Sequence, residues 1–184
     1  EEQKMLWEAF EDYGTEEYVI IEKNDVNIAV FGIFGEDALD CVVNPPLEFK
    51  NPVEAAKETV EEIKANEDVD MIVCVSHSGT WDDEAKSEDE ILAKSVPEID
   101  LIISGHTHTK LPEPIVHGNT YIVSAAEYGK YLGNMSFTQK ADGRWNMDSY
   151  ELITVSENIE ADKATQEKVD ALMDMVDSKY LEQF

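Results

Sequence analysis

Residues 69–79, "VDMIVCVSHSG", and residues 99–110, "IDLIISGHTHTK", are built to one plan. Each is a short, continuous apolar run that stops at glycine and histidine. Runs of this length with no polar alternation read as strands buried on both faces of a sheet. A very acidic loop, "TWDDEAKSEDE", and a helix around residues 88–95 lie between them. Upstream, "NPVEAAKETVEEIKAN" (51–66) is the clearest helix. Asn51 suits the N-cap, Pro52 the first turn and Glu54 the third position of a capping box. Val53, Ala56, Val60 and Ile63 fall on one stripe. The helix–strand–helix–strand order of residues 51–104 predicts neighbouring parallel strands joined by a right-handed crossover.

Parallel strands bring their carboxyl ends to one edge, where open α/β sheets hold their ligands. His77 follows the end of the first strand, and His106 and His108 follow the end of the second. In extended chain, residues i and i+2 point the same way about 6.5 Å apart. Metal–imidazole bonds are about 2.1 Å, and paired metals sit about 3.5–4 Å apart. A His-x-His after a strand can therefore give one ligand to each of two adjacent ions. Gly79 and Gly105 allow the tight backbone such a rim needs. A single histidine after a strand is ordinarily a solvated loop residue. Three of them at two successive strand ends point to a metal site. His117, in "HGNT", sits at an expected hairpin turn and reads as a solvent-exposed, dispensable residue.

The remaining chain is read outward from this centre. "KMLWEAFEDYG" is a short helix closed by Gly14. "EYVIIE" and "VNIAVFGIF" are strands with Lys23-Asn24-Asp25 as the turn, and a loop with Pro45 and Pro46 follows. After residue 110 the pattern alternates. "TYIVSA", "GNMSFTQ" and "RWNMDSYELITV" read as an antiparallel meander with turns at 117–119 and 141–143. From about Asp162 the chain is helical, with Val169, Leu172, Met173, Val176 and Tyr180 as the apolar stripe.

Bulk composition narrows the function. The 184 residues carry 14 basic and 41 acidic side chains, a net charge of −27. Binding a nucleic acid polymer needs a basic face, so that class is excluded. A small anion remains admissible if a local cation, such as a metal, cancels its charge. Cys41 and Cys74 form no CxxC pair, and Cys74 lies in an apolar run as a small hydrophobe. No run approaches the ~18 apolar residues of a membrane span. No signal peptide is visible, but the chain starts "EEQKMLWEAF" without an initiator Met, so this is no indication of a cytoplasmic protein.

"VCVSHSG", "IDLIISGHTHT" and "EYGKYLG" (127–133) together resemble the calcineurin-like metallophosphoesterases. The similarity is to the bacterial 5′-nucleotidase and 2′,3′-cyclic-nucleotide phosphodiesterase branch, and runs from about Tyr18 to Val155. The resemblance implies an α/β (α+β) chain, half of a β-sandwich flanked by helices. A parallel βαβ part would be followed by an antiparallel meander and a C-terminal helix. It implies that residues 1–155 form the C-terminal part of the metallophosphoesterase domain. Residues 156–184 would be a helical linker towards an absent C-terminal domain. His77 and His106 would bind one divalent metal and His108 a second; Zn, Mn, Fe and Co all suit such ligands. The substrate would be a nucleotide or another small phosphoester, and the location extracellular, cell-surface or periplasmic.

The family's Asp-x-His, Gly-Asp and Gly-Asn-His metal motifs have no counterpart here. The chain therefore reads as lacking the N-terminal half of its domain, where the general acid is also expected. The isolated chain is expected to hold metal partly or not at all, to be inactive and to self-associate. The alternative is a non-catalytic surface or interaction module that keeps the fold. An amidohydrolase, which also uses His-x-His, would place that motif on the first strand of a barrel, with many βα units after it. Only a meander and one helix follow here.

Overall fold

The computed structural model describes residues 2–45 and 47–181. Pro46 of the proline pair, and the side chain of Tyr180 in the expected C-terminal stripe, lie outside the described residues. The chain divides into two compact units, residues 1–154 and 155–184.

The first part starts with α1 (Glu2–Tyr13). Gly14 stops it with φ 77°, its amide bonding back to the carbonyl of Glu11, as a left-handed C-cap does. Strands β1 (Tyr18–Lys23) and β2 (Val26–Phe34) form a hairpin. Its turn residues Asn24 and Asp25 both have positive φ, 54° and 62°, the requirement of a tight right-twisted turn. A short helix α2 (Glu36–Asp40) follows, and then α3 (Pro52–Asn66). Asn51 caps α3 as its sequence predicts, accepting from the amides of Val53 (3.0 Å) and Glu54 (3.3 Å). Strand β3 (Met71–His77), helix α4 (Glu88–Ser95) and strand β4 (Leu101–Ser104) complete the crossover units.

Strands β5 (Ile115–His117) and β6 (Thr120–Val123) close a six-stranded sheet of order β1-β2-β3-β4-β6-β5. Strands β2, β3, β4 and β6 run parallel. Phe34 aligns with His77 and Ser76 with Ser104, so β2, β3 and β4 end at one rim. Strands β7 (Tyr131–Gln139) and β8 (Trp145–Thr154) pair as a separate antiparallel sheet.

The α/β class is as read from the sequence, and the antiparallel part differs in detail. The alternating pattern of "TYIV" predicts the opening strand of the meander. It instead extends the parallel sheet beside β4, with β5 as its antiparallel neighbour. Its period-2 pattern suits a strand at either place, so pattern alone does not fix its partner. Helix α2 falls in a stretch whose sequence reads as loop, because five residues hold too little periodicity to register.

Helices α3 and α4 cover one face of the sheet. Ile63, Leu92, Val96 and Ile99 bury completely against Phe31, Cys74, Ile102 and Ile122, each large aliphatic stabilising by roughly 1.5–3 kcal/mol. On the other face the β7–β8 sheet lays Met135, Phe137, Trp145 and Tyr150 on Met71, Val73, Leu101 and Val123. Trp145 Nε1 donates to the Asp70 carbonyl (2.7 Å) and Tyr150 donates its hydroxyl hydrogen to the Leu111 carbonyl (2.9 Å). That cover stops short of the rim. Val75 and Ile103 remain 47% and 41% exposed. They floor a cleft of about 520 Å³ with Gly32, Phe34, His77 and Gly105. An apolar face open to water marks an interaction surface or a ligand groove.

In the second part, α5 (Lys163–Val176) is capped by Asp162, which accepts from the Thr165 amide at 2.8 Å. A π-helical turn, Asp177–Leu181, ends it. The stripe Val169, Leu172, Met173 and Val176 is exposed.

Candidate metal centre

Three loops meet at the rim, each leaving a parallel strand. Their closeness depends on glycine. A Cβ on Gly35, after β2, would lie 2.6 Å from Ser78 Cα. A Cβ on Gly79, after β3, would lie 2.4 Å from Thr107 Cγ2, and Gly79 has φ 98°. A Cβ on Gly105, after β4, would sit 3.1 Å from the Ser76 carbonyl and 3.4 Å from His77 Nδ1. Side chains there would part the loops.

Polar ties then fix the loops. Thr107 Oγ1 accepts from the Thr80 amide (3.2 Å), and Thr109 Oγ1 donates to the Thr80 carbonyl (3.2 Å). Beneath them Asp89, fully buried, accepts from Ser76 Oγ (2.5 Å) and from the Gly79 amide (3.1 Å). Burial pushes the Asp89 carboxyl above the usual carboxylate range, and the bonds from Ser76 and Gly79 offset part of that rise. Glu88, next along, accepts from the amides of Glu36 and Asp37, both at 2.9 Å. It satisfies the open first turn of α2, where a carboxylate is favoured.

The three predicted histidines stand at this rim on unequal terms. The rings of His77 and His106 lie 5.0 Å apart. His77 stacks on Phe34 at 5.7 Å, and Trp81 lies 6.4 Å from His106. His108 is exposed and instead faces Tyr128, ring to ring at 5.8 Å. The extended His-x-His geometry does not hold: His106 and His108 have φ of 68° and 55°. Left-handed backbone at non-glycine residues is sparse and concentrates at functional sites.

The sequence reading missed Asp37. Its Oδ2 lies 2.8 Å from His106 Nε2, and the His106 side chain is only 16% exposed. Cys41 adds a third donor: ligand atoms of Asp37, Cys41 and His106 all lie within 4.8 Å of one another. A signal for Asp37 was available. β2 is parallel to β3, so "GED" at 35–37 shares the rim by the same rule that placed His77 and His106.

His117 also departs from expectation. It is the last residue of β5, half-buried, with Nε2 2.7 Å from Glu90 Oε2. The turn begins one residue later, at Gly118 (φ 61°). The acidic loop lies off the rim ligands: Glu84 pairs with Lys94 and Asp83 with Lys86.

The donor set suits divalent cations, since imidazole, carboxylate and thiolate all bind Zn²⁺-class ions. Among the described residues no helix is long and apolar enough to cross a membrane.

No family model matches the chain. Individual proteins do. The chain is 31% identical over 180 residues to a 5′-nucleotidase of Vibrio cholerae serotype O1, spanning 82% of this chain and 32% of that protein. It is 30% identical over 163 residues to the trifunctional nucleotide phosphoesterase protein YfkN of Bacillus subtilis, spanning 85% of this chain and 11% of that protein. The crystal structure of a 5′-nucleotidase precursor from Thermus thermophilus shares the fold with a TM-score of 0.72. Identity is 24%, over 88% of this chain and 34% of that one. The chain thus spans about a third or less of the length of these relatives. With the rim loops and sheet in place, the chain belongs to the calcineurin-like metallophosphoesterases, on the branch of the bacterial 5′-nucleotidases.

Proposed function

We propose that the protein carrying this chain hydrolyses nucleotide phosphoesters, as a 5′-nucleotidase or cyclic-nucleotide phosphodiesterase. The observation behind this is the pairing of His77 and His106 at the ends of two parallel strands, in a chain of this family. In this reading His77 and His106 hold one divalent cation and His108 a second, drawn from Zn, Mn, Fe or Co. The other ligands and the general acid come from a part of the domain outside this chain. That part also covers Val75 and Ile103. Bound divalent cations supply positive charge against the phosphoryl oxygens and acidify water.

The chain's own residues prepare the place. Asp37 accepts from His106 Nε2–H, which fixes the tautomer and leaves the Nδ1 lone pair free. Phe34 and Trp81 restrict the rings of His77 and His106 and exclude water from one side. Local cationic charge also answers how a chain of net charge −27 accepts an anionic substrate. Residues 1–155 act as the C-terminal part of the catalytic domain, and residues 156–184 as a helical linker to a further domain. The setting is outside the cytoplasm, supported by the family resemblance and by the precursor form of the Thermus relative.

The assay is hydrolysis of bis(p-nitrophenyl) phosphate and 5′-AMP with Mn²⁺ or Zn²⁺. The full-length protein turns over, and the 184-residue chain alone stays at the metal-only blank. Full-length protein that cleaves neither substrate with either metal would contradict the reading.

A further inference from the structure

A second constellation stands apart from the rim. His117 Nε2 lies 2.7 Å from Glu90 Oε2. With a Glu84 oxygen, these ligand atoms all fall within 4.8 Å of one another. Three separate segments supply them: the loop before α4, the first turn of α4 and the end of β5. None of the three touches His77, His106, His108 or Asp37 among the described contacts.

Glu90 is the unusual member. It is only 7% exposed, and a carboxylate so buried needs a hydrogen-bonded countercharge or a metal. Its ion-pair partner among the described residues is His117. Glu84 brings a second carboxylate to the same point, balanced by Lys94 on its outer side. Two carboxylates and one imidazole around a common centre are a three-ligand set of the kind that holds zinc with water in the fourth position. Bonds of about 2.1 Å in tetrahedral geometry set ligands about 3.4 Å apart. The His117–Glu90 pair, at 2.7 Å, need open by only about 0.7 Å. Glu84 is exposed, and turning it onto a cation would exchange its ion pair with Lys94 for the metal.

We propose that Glu84, Glu90 and His117 form a divalent cation site of the zinc class, separate from the rim. A cation there clips the acidic loop and α4 to the sheet edge at β5. That clip steadies the same helix whose Glu88 and Asp89 organise the rim loops. The proposal is independent of the phosphoesterase reading.

The test uses the full-length protein carrying His106→Ala, so that the rim contributes less zinc. The protein is stripped with chelator, loaded with Zn²⁺ and desalted, and retained zinc is measured by mass spectrometry. Adding His117→Gln keeps a hydrogen bond within reach of Glu90 but removes the imidazole ligand. The expected result is one zinc per chain fewer, with affinity down roughly 100-fold or more. Glu84→Gln, at an exposed position where the fold should tolerate the change, is expected to weaken zinc roughly 10-fold or more. Zn²⁺ should raise the melting temperature of the parent and not that of the His117→Gln protein. Equal zinc retention in parent and His117→Gln protein, or unchanged affinity in Glu84→Gln, overturns the site and leaves a plain His117–Glu90 hydrogen bond.

Discussion

Asp37 Oδ2 lies 2.8 Å from His106 Nε2, across 69 residues of sequence. The contact joins α2, which follows β2, to the loop after β4 and skips the strand between them. It exists because Glu88 of α4 caps α2 and because Gly35 lets the turn settle on Ser78. A carboxylate in this position orients an imidazole and raises its basicity as a ligand.

Replacing Asp37 is therefore expected to act on metal binding before it acts on the fold. Asp37→Ala should weaken metal binding and lower turnover by roughly 10–100-fold, with melting unchanged within a few degrees. Titration of the stripped full-length protein with Mn²⁺, followed by activity, reads both. An Asp37→Ala protein with full affinity and full turnover would remove Asp37 from the site.

Gly79→Ala tests the closeness of the loops. The new methyl would meet Thr107 at 2.4 Å on a backbone with φ 98°. Strain and overpacking together should cost about 2–4 kcal/mol. Urea denaturation measures it. A loss under about 0.5 kcal/mol would mean the rim loops part without resistance.

Asp89 gives a pH signature. Burial raises its folded-state pKa above the ordinary 3.8. A raised acid keeps its proton longer when folded than when unfolded. Its contribution is thus fully present below about 3.8 and declines as pH rises through the folded value. Asp89→Asn cannot titrate. The stability of wild type minus that of Asp89→Asn should fall as pH climbs from about 4 to 7, by denaturant melts at each pH. A difference that grows over that range contradicts the burial argument.

The bare sheet face predicts opposite outcomes in two settings. Val75→Glu with Ile103→Glu should reduce self-association of the isolated chain, read by sedimentation, since both side chains sit on an open apolar surface. In the full-length protein the same pair should destabilise by several kcal/mol, on the proposal that the rest of the domain covers this face. Full-length protein of unchanged stability would show that nothing covers it.

The sequence made the frame of this site legible. Continuous apolar runs marked β3 and β4, and the parallel rule alone brought His77 and His106 to one edge. Other features were set by tertiary contacts that no local pattern carries. Helix α2 is five residues long and owes its first turn to Glu88, 52 residues from Glu36. "TYIV" fits two sheets equally, and β4 rather than β7 became its neighbour. For His117 the Gly118-Asn119 turn signal was sound, but the strand runs one residue further, to a buried Glu90 partner. The left-handed φ of His106 and His108 is likewise invisible in the letters, since histidine only tolerates that conformation.

The most direct measurement is anomalous diffraction from the full-length protein crystallised with Mn²⁺. The account predicts two peaks at the rim about 3.5–4 Å apart. One should be bonded to His77 and His106 and the other to His108, which must turn from Tyr128 to reach it. Peaks that leave His77 and His106 unbonded, or a rim with no peak while the protein hydrolyses 5′-AMP, would contradict it.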